Sequence, residues 1–112
     1  MSKKTLSELV KYIKNYLAQR YLRLDRVILF GSHAQGRARP DSDVDIAIVS
    51  NGFNGKNIFQ RARMMRGLHI GLTRRFSKPF DIVYLSTEEL SSQNSFLLDY
   101  VRRGQEISSK SA

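Results

Sequence analysis

The chain contains no cysteine. Disulfide staples and thiolate metal sites are therefore excluded, and the redox compartment stays open. No apolar run approaches the roughly 18 residues that a membrane-spanning helix needs. Met1-Ser2-Lys3-Lys4 leads into a polar helix pattern rather than the apolar stretch of a signal peptide, so a cytoplasmic location with no membrane partner is expected. Repeats and low-complexity tracts are absent. Acidic residues are missing from the whole stretch 51–80, which carries Lys56, Arg61, Arg63, Arg66, Arg74, Arg75 and Lys78.

What is present fits one small domain. The 112 residues are 41% apolar and 26% charged, so a single domain core spanning 1–112 is expected, with no room for a second. The net charge is +9, and the basic stretch 51–80 gives it an uneven distribution. That asymmetry suits a polyanion such as a triphosphate, a nucleic acid or an acidic partner. A stacking platform for nucleic acid is not evident, because aromatic residues do not interleave with the basic ones.

Hydrophobic periodicity divides the chain. Leu6, Leu9, Val10, Ile13 and Leu17 make a helical stripe, and Thr5 with Glu8 matches a capping box. Tyr12 and Tyr16, slightly off the stripe, read as packing residues. Arg26 to Phe30 and Val44 to Val49 read as strands. Gly31 stops the first strand, Ser32 to Gly36 reads as a tight turn opening a short helix, and 37–42 as a polar loop. Residues 51–55 read as a mobile loop. Asn57 to Phe76 reads as one long basic helix with Ile58, Ala62, Met65 and His69 on one face; the alternative ends it near Arg66 and starts a strand. Phe80 to Leu85 is a third strand. Ser86 to Glu89 caps a last helix reaching Val101, Gly104 stops it, and 108–112 are expected to fray. The class is α/β (α+β), a small mixed sheet with helices packed on it.

Chemistry enters at Asp43 and Asp45. Residues two apart on a strand share a face, about 6.6 Å apart along the chain. Side-by-side carboxylates repel unless a cation intervenes, and hard oxygen ligands favour Mg2+. Asp-x-Asp alone is a weak signal. Gly31-Ser32 strengthens it, since glycine lets backbone approach an anion and the hydroxyl can donate to a phosphate. Asp81 opens the third strand, and beside the second strand it would reach the same face. Three such acids opposite a glycine-hydroxyl turn supply the parts of a two-metal phosphoryl-transfer site, with Asp81 also able to accept a proton.

The run from Phe30-Gly31-Ser32 through Gly36, Arg39 and Ser42-Asp43-Val44-Asp45 resembles the signature of the polymerase-beta-type nucleotidyltransferase superfamily. It is most similar to the minimal nucleotidyltransferase (MNT) branch. The likeness runs from about Val27 to Leu85, with Asp81 where the third carboxylate stands. His33 and Gln35 occupy positions where the branch often has arginine. The resemblance implies the nucleotidyltransferase fold, Asp43, Asp45 and Asp81 as metal-holding and catalytic residues, and Gly31, Ser32, Arg37, Arg39 and Ser42 as nucleotide-binding residues. It further implies ATP or another NTP as substrate, and a HEPN-type ribonuclease toxin as partner, neutralised by transfer of AMP to a hydroxyl. Two alternatives are capture of the toxin by binding alone with a vestigial site, and transfer directed to a nucleic acid.

Overall fold

The computed structural model describes residues 1–92 and 95–108. A first helix, α1 (Lys3–Ala18), is followed by the strands β1 (Arg26–Phe30) and β2 (Val44–Val49). A single 3-10 turn, Asn51–Phe53, leads to α2 (Ile58–Met64) and α3 (Leu68–Phe76). Then come β3 (Phe80–Leu85), α4 (Thr87–Ser92), α5 (Phe96–Arg102) and the short β4 (Gln105–Glu106). This is the small mixed α/β architecture expected, with more breaks in its helices.

The strand order is β3-β2-β1-β4. β1 runs antiparallel to β2 and to β4, whereas β2 and β3 are parallel. A parallel pair needs a crossover, which α2 and α3 supply. Register places Asp45 between Phe30 on one neighbour and Asp81 on the other.

Strand alternation gives the sheet two apolar faces. Val44, Ile46 and Ile48 of β2 join Leu9, Ile13 and Leu17 of α1, and Leu68 and Leu72 of α3, in the larger core. Ala47 and Val49 face the other way, against Leu90 of α4 and Leu98 and Val101 of α5. Asp45 belongs to this second set by its period of two. The acids thus stand at the end of the face that α4 and α5 cover.

Several local expectations are corrected. The cap of α1 is Ser2, whose side chain accepts from the Thr5 N–H; Glu8 instead pairs with Arg75 at 2.6 Å. The 51–55 loop is anchored rather than mobile, because Phe53 is fully buried and Ser50 caps the 3-10 turn. The long basic helix is two helices, and neither continuous helix nor strand crosses the break. Gly67 takes a left-handed φ of 93° there, and a Cβ at Gly67 would press on the Tyr16 hydroxyl, which donates to Arg66 O. Tyr16 and Tyr12 are packing residues, as expected. Of the proposed face, only Met65 is buried; Ile58 is 70% exposed.

Ser86 and Glu89 form the expected reciprocal cap, Glu89 N–H to Ser86 Oγ at 3.1 Å and Ser86 N–H to Glu89 Oε1 at 2.8 Å. The last helix, however, is divided into α4 and α5. Gly104 ends α5 and then lets β4 lie close on β1, where a Cβ would crowd Leu29 O and the side chains of Ile28 and Phe30. Ser108 is tied down, its Oγ accepting from Val27 N–H at 3.0 Å, while the expected fraying of 109–112 lies outside the described residues.

Arg61 departs most from its sequence setting. It belongs to the basic stretch, yet it is only 6% exposed. Its guanidinium donates to Tyr84 O at 3.0 Å, Phe53 O at 3.1 Å and Glu89 Oε1 at 2.6 Å. One arginine thereby ties α2, β3, the 3-10 turn and α4 together. On the same outer side of β3, His69 Nε2–H donates to Phe80 O at 2.7 Å.

Candidate active site

β1 ends at Phe30, and Gly31 turns the chain with φ 73°. That conformation suits glycine, and here packing enforces the choice as well. A Cβ at Gly31 would fall on Asp45 Oδ2, so the turn and the carboxylate occupy adjoining space. From Gly31 to Gly36 the chain forms consecutive turns, with Gln35 N–H donating to Gly31 O at 3.2 Å and Arg37 N–H to Ser32 O at 3.0 Å. No helix forms. The left-handed Gly36, followed by a polar run reaching Pro40, leaves nothing to propagate one. The turn therefore offers backbone N–H groups without a helix dipole behind them.

Asp45 is half-buried on β2, and Asp43 and Asp81 are exposed. Asp45 and Asp81 are direct register partners on parallel strands, and Asp43 precedes β2 by one residue. Burial, then repulsion from Asp81 and from Asp43, holds the Asp45 carboxyl above its usual range, with His33 partly opposing. None of the three makes a hydrogen bond or ion pair among the described residues. Negative charge is gathered here on one face, offset in part by His33.

The loop leading into β2 is built from its own polar groups. Arg39 N–H donates to Ser42 Oγ at 2.8 Å and Ser42 N–H returns to Arg39 O at 3.0 Å. His33 Nε2 lies 3.3 Å from Ser42 O, so the Gly31 turn and the aspartate strand are stitched together. Ser32 is half-buried on the turn. The Arg37 and Arg39 side chains are exposed, and Arg37 contacts Gln35 Oε1 rather than any aspartate.

The pattern expected for the Nucleotidyltransferase domain family matches residues 10–103. The chain belongs to that family. Among solved structures, a putative minimal nucleotidyltransferase shares 26% identity and a TM-score of 0.58, with 97% of each chain covered. A toxin-antitoxin solved with AMP-PNP shares the fold at 22% identity and TM-score 0.61, covering 91% of this chain and 74% of that one. A putative nucleotidyltransferase from Sulfolobus solfataricus does so at 23% identity and TM-score 0.55, over 92% of this chain and 82% of the other. Curated protein sequences gave no significant match.

The nucleotidyltransferase is thus an enzyme of that class by family. Nucleotidyltransferases of this fold generally use a divalent metal, and the donor chemistry here fits a hard cation: Asp43, Asp45 and Asp81 on one sheet face, with Gly31 packed on one of them. As placed, no three His, Cys, Asp or Glu side chains among the described residues are gathered tightly enough to close around a metal ion. Among the same residues, no helix is long and apolar enough to cross a membrane.

Sequence reasoning passed over the far wall of the site. A cavity of about 110 Å³ runs from Phe30, Gly31 and Gln35 to Tyr100 and Arg103. Tyr100 meets Phe30 edge-on, ring centroids 5.6 Å apart. The available signal was the apolar pattern of α5, whose Phe96, Leu97 and Tyr100 exceed what its buried Leu98 and Val101 require.

Proposed function

We propose that this chain, acting as one domain over 1–112, transfers AMP from ATP to a hydroxyl of a partner protein. The partner we propose is a HEPN-type ribonuclease toxin, with this nucleotidyltransferase as its antitoxin. The observation that carries the chemistry is the unpaired carboxylate set at Asp45 and Asp81, closed against Gly31. Two fold neighbours support the biological setting: the toxin-antitoxin with AMP-PNP, and a mutant of the toxin-antitoxin MntA-HpeT at 18% identity and TM-score 0.62, covering 95% of this chain and 74% of the other.

Asp43, Asp45 and Asp81 would hold Mg2+, which when bound neutralises the triphosphate and lowers the pKa of an incoming hydroxyl. The rest is the chain's own work. Gly31 and Ser32 grip phosphate oxygens through backbone N–H and hydroxyl, and Ser42 holds the loop that carries Arg39. Arg37 and Arg39, both exposed, offset charge developing on the phosphates, Arg37 exchanging its contact with Gln35 for them. The acceptor oxygen bonds to the α-phosphorus, the bond from that phosphorus to the bridging oxygen breaks, and pyrophosphate leaves. Asp81 accepts the hydroxyl proton.

The test is labelling of the partner with radioactive ATP. Asp43→Asn combined with Asp45→Asn should abolish labelling while circular dichroism stays unchanged; persistent labelling would remove the proposal. A second reading, capture by binding alone, is favoured by the exposed apolar pair Ile58 and Phe59, 70% and 69% exposed, within the basic stretch. Undiminished toxin neutralisation by the double variant would select it.

A further inference from the structure

α5 packs on the sheet through Leu98 and Val101, yet its opposite side is not polar. Phe96 is 96% exposed and Tyr100 43% exposed, and they stand four residues apart on one helix face. Arg103 follows one turn on, with no ion pair among the described residues. Two aromatic rings and a guanidinium in line form a surface on which a planar ring stacks. The surface there is open and shallow, lined by Phe96, Leu97, Asp99, Tyr100 and Arg103.

Its place in the fold links it to the carboxylates. α5 covers the same sheet face to which Asp45 belongs, and Tyr100 leans on Phe30, the cross-strand partner of Asp45. Tyr100 and Arg103 also wall the cavity that begins at Gly31. A continuous wall therefore runs from the phosphate-binding turn to the exposed rings.

We propose that the Phe96–Tyr100–Arg103 stripe is the nucleobase subsite of the nucleotide substrate. This rests on the reading of the Gly31-Ser32 turn as the phosphate site. The base stacks on Tyr100 and Phe96, and Arg103 lies between base and phosphates. Asp99, whose Oδ1 lies 3.5 Å from Arg102 Nη1, keeps its other oxygen as an acceptor for an exocyclic amino group. A stacking wall of this kind favours purines, which offer more ring area, and holds the base while the triphosphate faces the acids.

Calorimetric titration of the full chain in magnesium buffer separates the parts, with ATP, inorganic tripolyphosphate and a single-stranded oligonucleotide as probes. Phe96→Ala and Tyr100→Ala should each weaken ATP binding by about tenfold, leave tripolyphosphate binding unchanged, and be matched to wild type by Tyr100→Phe. Phe96 is too exposed for its loss to unfold the chain. Unchanged ATP affinity in both alanine variants overturns the subsite, as does wild type binding tripolyphosphate as tightly as ATP. Loss of both ligands in Tyr100→Ala with Phe96→Ala silent reduces Tyr100 to packing. Weakened oligonucleotide binding with ATP unaffected assigns the stripe to a nucleic-acid strand instead. Failure of wild type to bind either phosphate compound removes the phosphate site itself.

Discussion

Gly31 and Asp45 are locked together: the Cα of one abuts the carboxylate of the other so closely that no side chain fits between them. The turn after β1 and the second acid of β2 are therefore one unit, and a change in either disturbs both.

Gly31→Ala should be doubly penalised, by the left-handed φ of 73° and by collision with Asp45 Oδ2. A loss of about 1–3 kcal/mol in urea unfolding is expected, together with loss of nucleotidyl transfer at protein concentrations where the variant is still folded. A variant as active as wild type would show that the contact is dispensable.

Asp45→Asn should stabilise the metal-free chain. The Asp45 carboxyl is held above its usual range by burial and by Asp81 and Asp43, so its ionisation opposes folding. In the native state it binds its proton at higher pH than in the unfolded chain. Its penalty is accordingly full above the folded pKa and relieved as pH falls toward the unfolded value. Thermal midpoints at neutral pH without divalent ions should be higher in the variant than in wild type, and added Mg2+ should raise the wild-type midpoint more than the variant's.

Glu89 runs the other way. Burial raises its pKa, but hydrogen bonds from Ser86 and Arg61 outweigh that and lower it overall. Its contribution is present above the unfolded carboxylate range and lost as pH falls through the lowered folded value. Acid titration of stability should show a steeper decline in wild type than in Glu89→Gln.

Removing Arg61 should be the costlier change on the opposite side of that pair. Arg61→Leu strips donors from Tyr84 O and Phe53 O and leaves Glu89 without its cation. About 3–5 kcal/mol of stability should be lost, read by urea melts. A double-mutant cycle with Glu89→Gln should show coupling; additive losses would mean that the ion pair contributes nothing.

Gly67→Ala should cost about 1–2 kcal/mol, since φ is 93° and a Cβ would stand 2.7 Å from the Tyr16 hydroxyl. Tyr16→Ala should relieve the second penalty but not the first, which a comparison of the single and double variants would resolve.

The strands and the acids were legible because their signals are local. Val27-Ile28-Leu29 and the alternation through β2 reproduce the observed strand bounds, and Asp81 fell beside Asp45 once β3 was placed next to β2. Helix breaks were harder to see. The alternative of a helix ending near Arg66 stayed open in the sequence, and Tyr16, from a distant helix, settles where the chain turns. β4 is two residues long and exists because Gly104 admits close approach to β1, a tertiary condition without a sequence period. The burial of Arg61 could not be read from a run of cations, because it depends on three carbonyl and carboxylate partners contributed by separate elements. The aromatic wall of α5 was hidden for a related reason: a Phe or Tyr in an apolar stretch looks like core until the packing shows which side is already full.

The outer carbonyls of β3 have a consequence for how this molecule meets others. Pro79 O and Leu85 O are spent on β2, so Phe80 O and Tyr84 O point outward, and His69 and Arg61 already occupy them. A foreign strand cannot zip onto that border without first evicting both side chains, one of them buried. Strand addition at β3 is thereby opposed from within the monomer, and a partner that meets this border does so through side chains rather than by extending the sheet there.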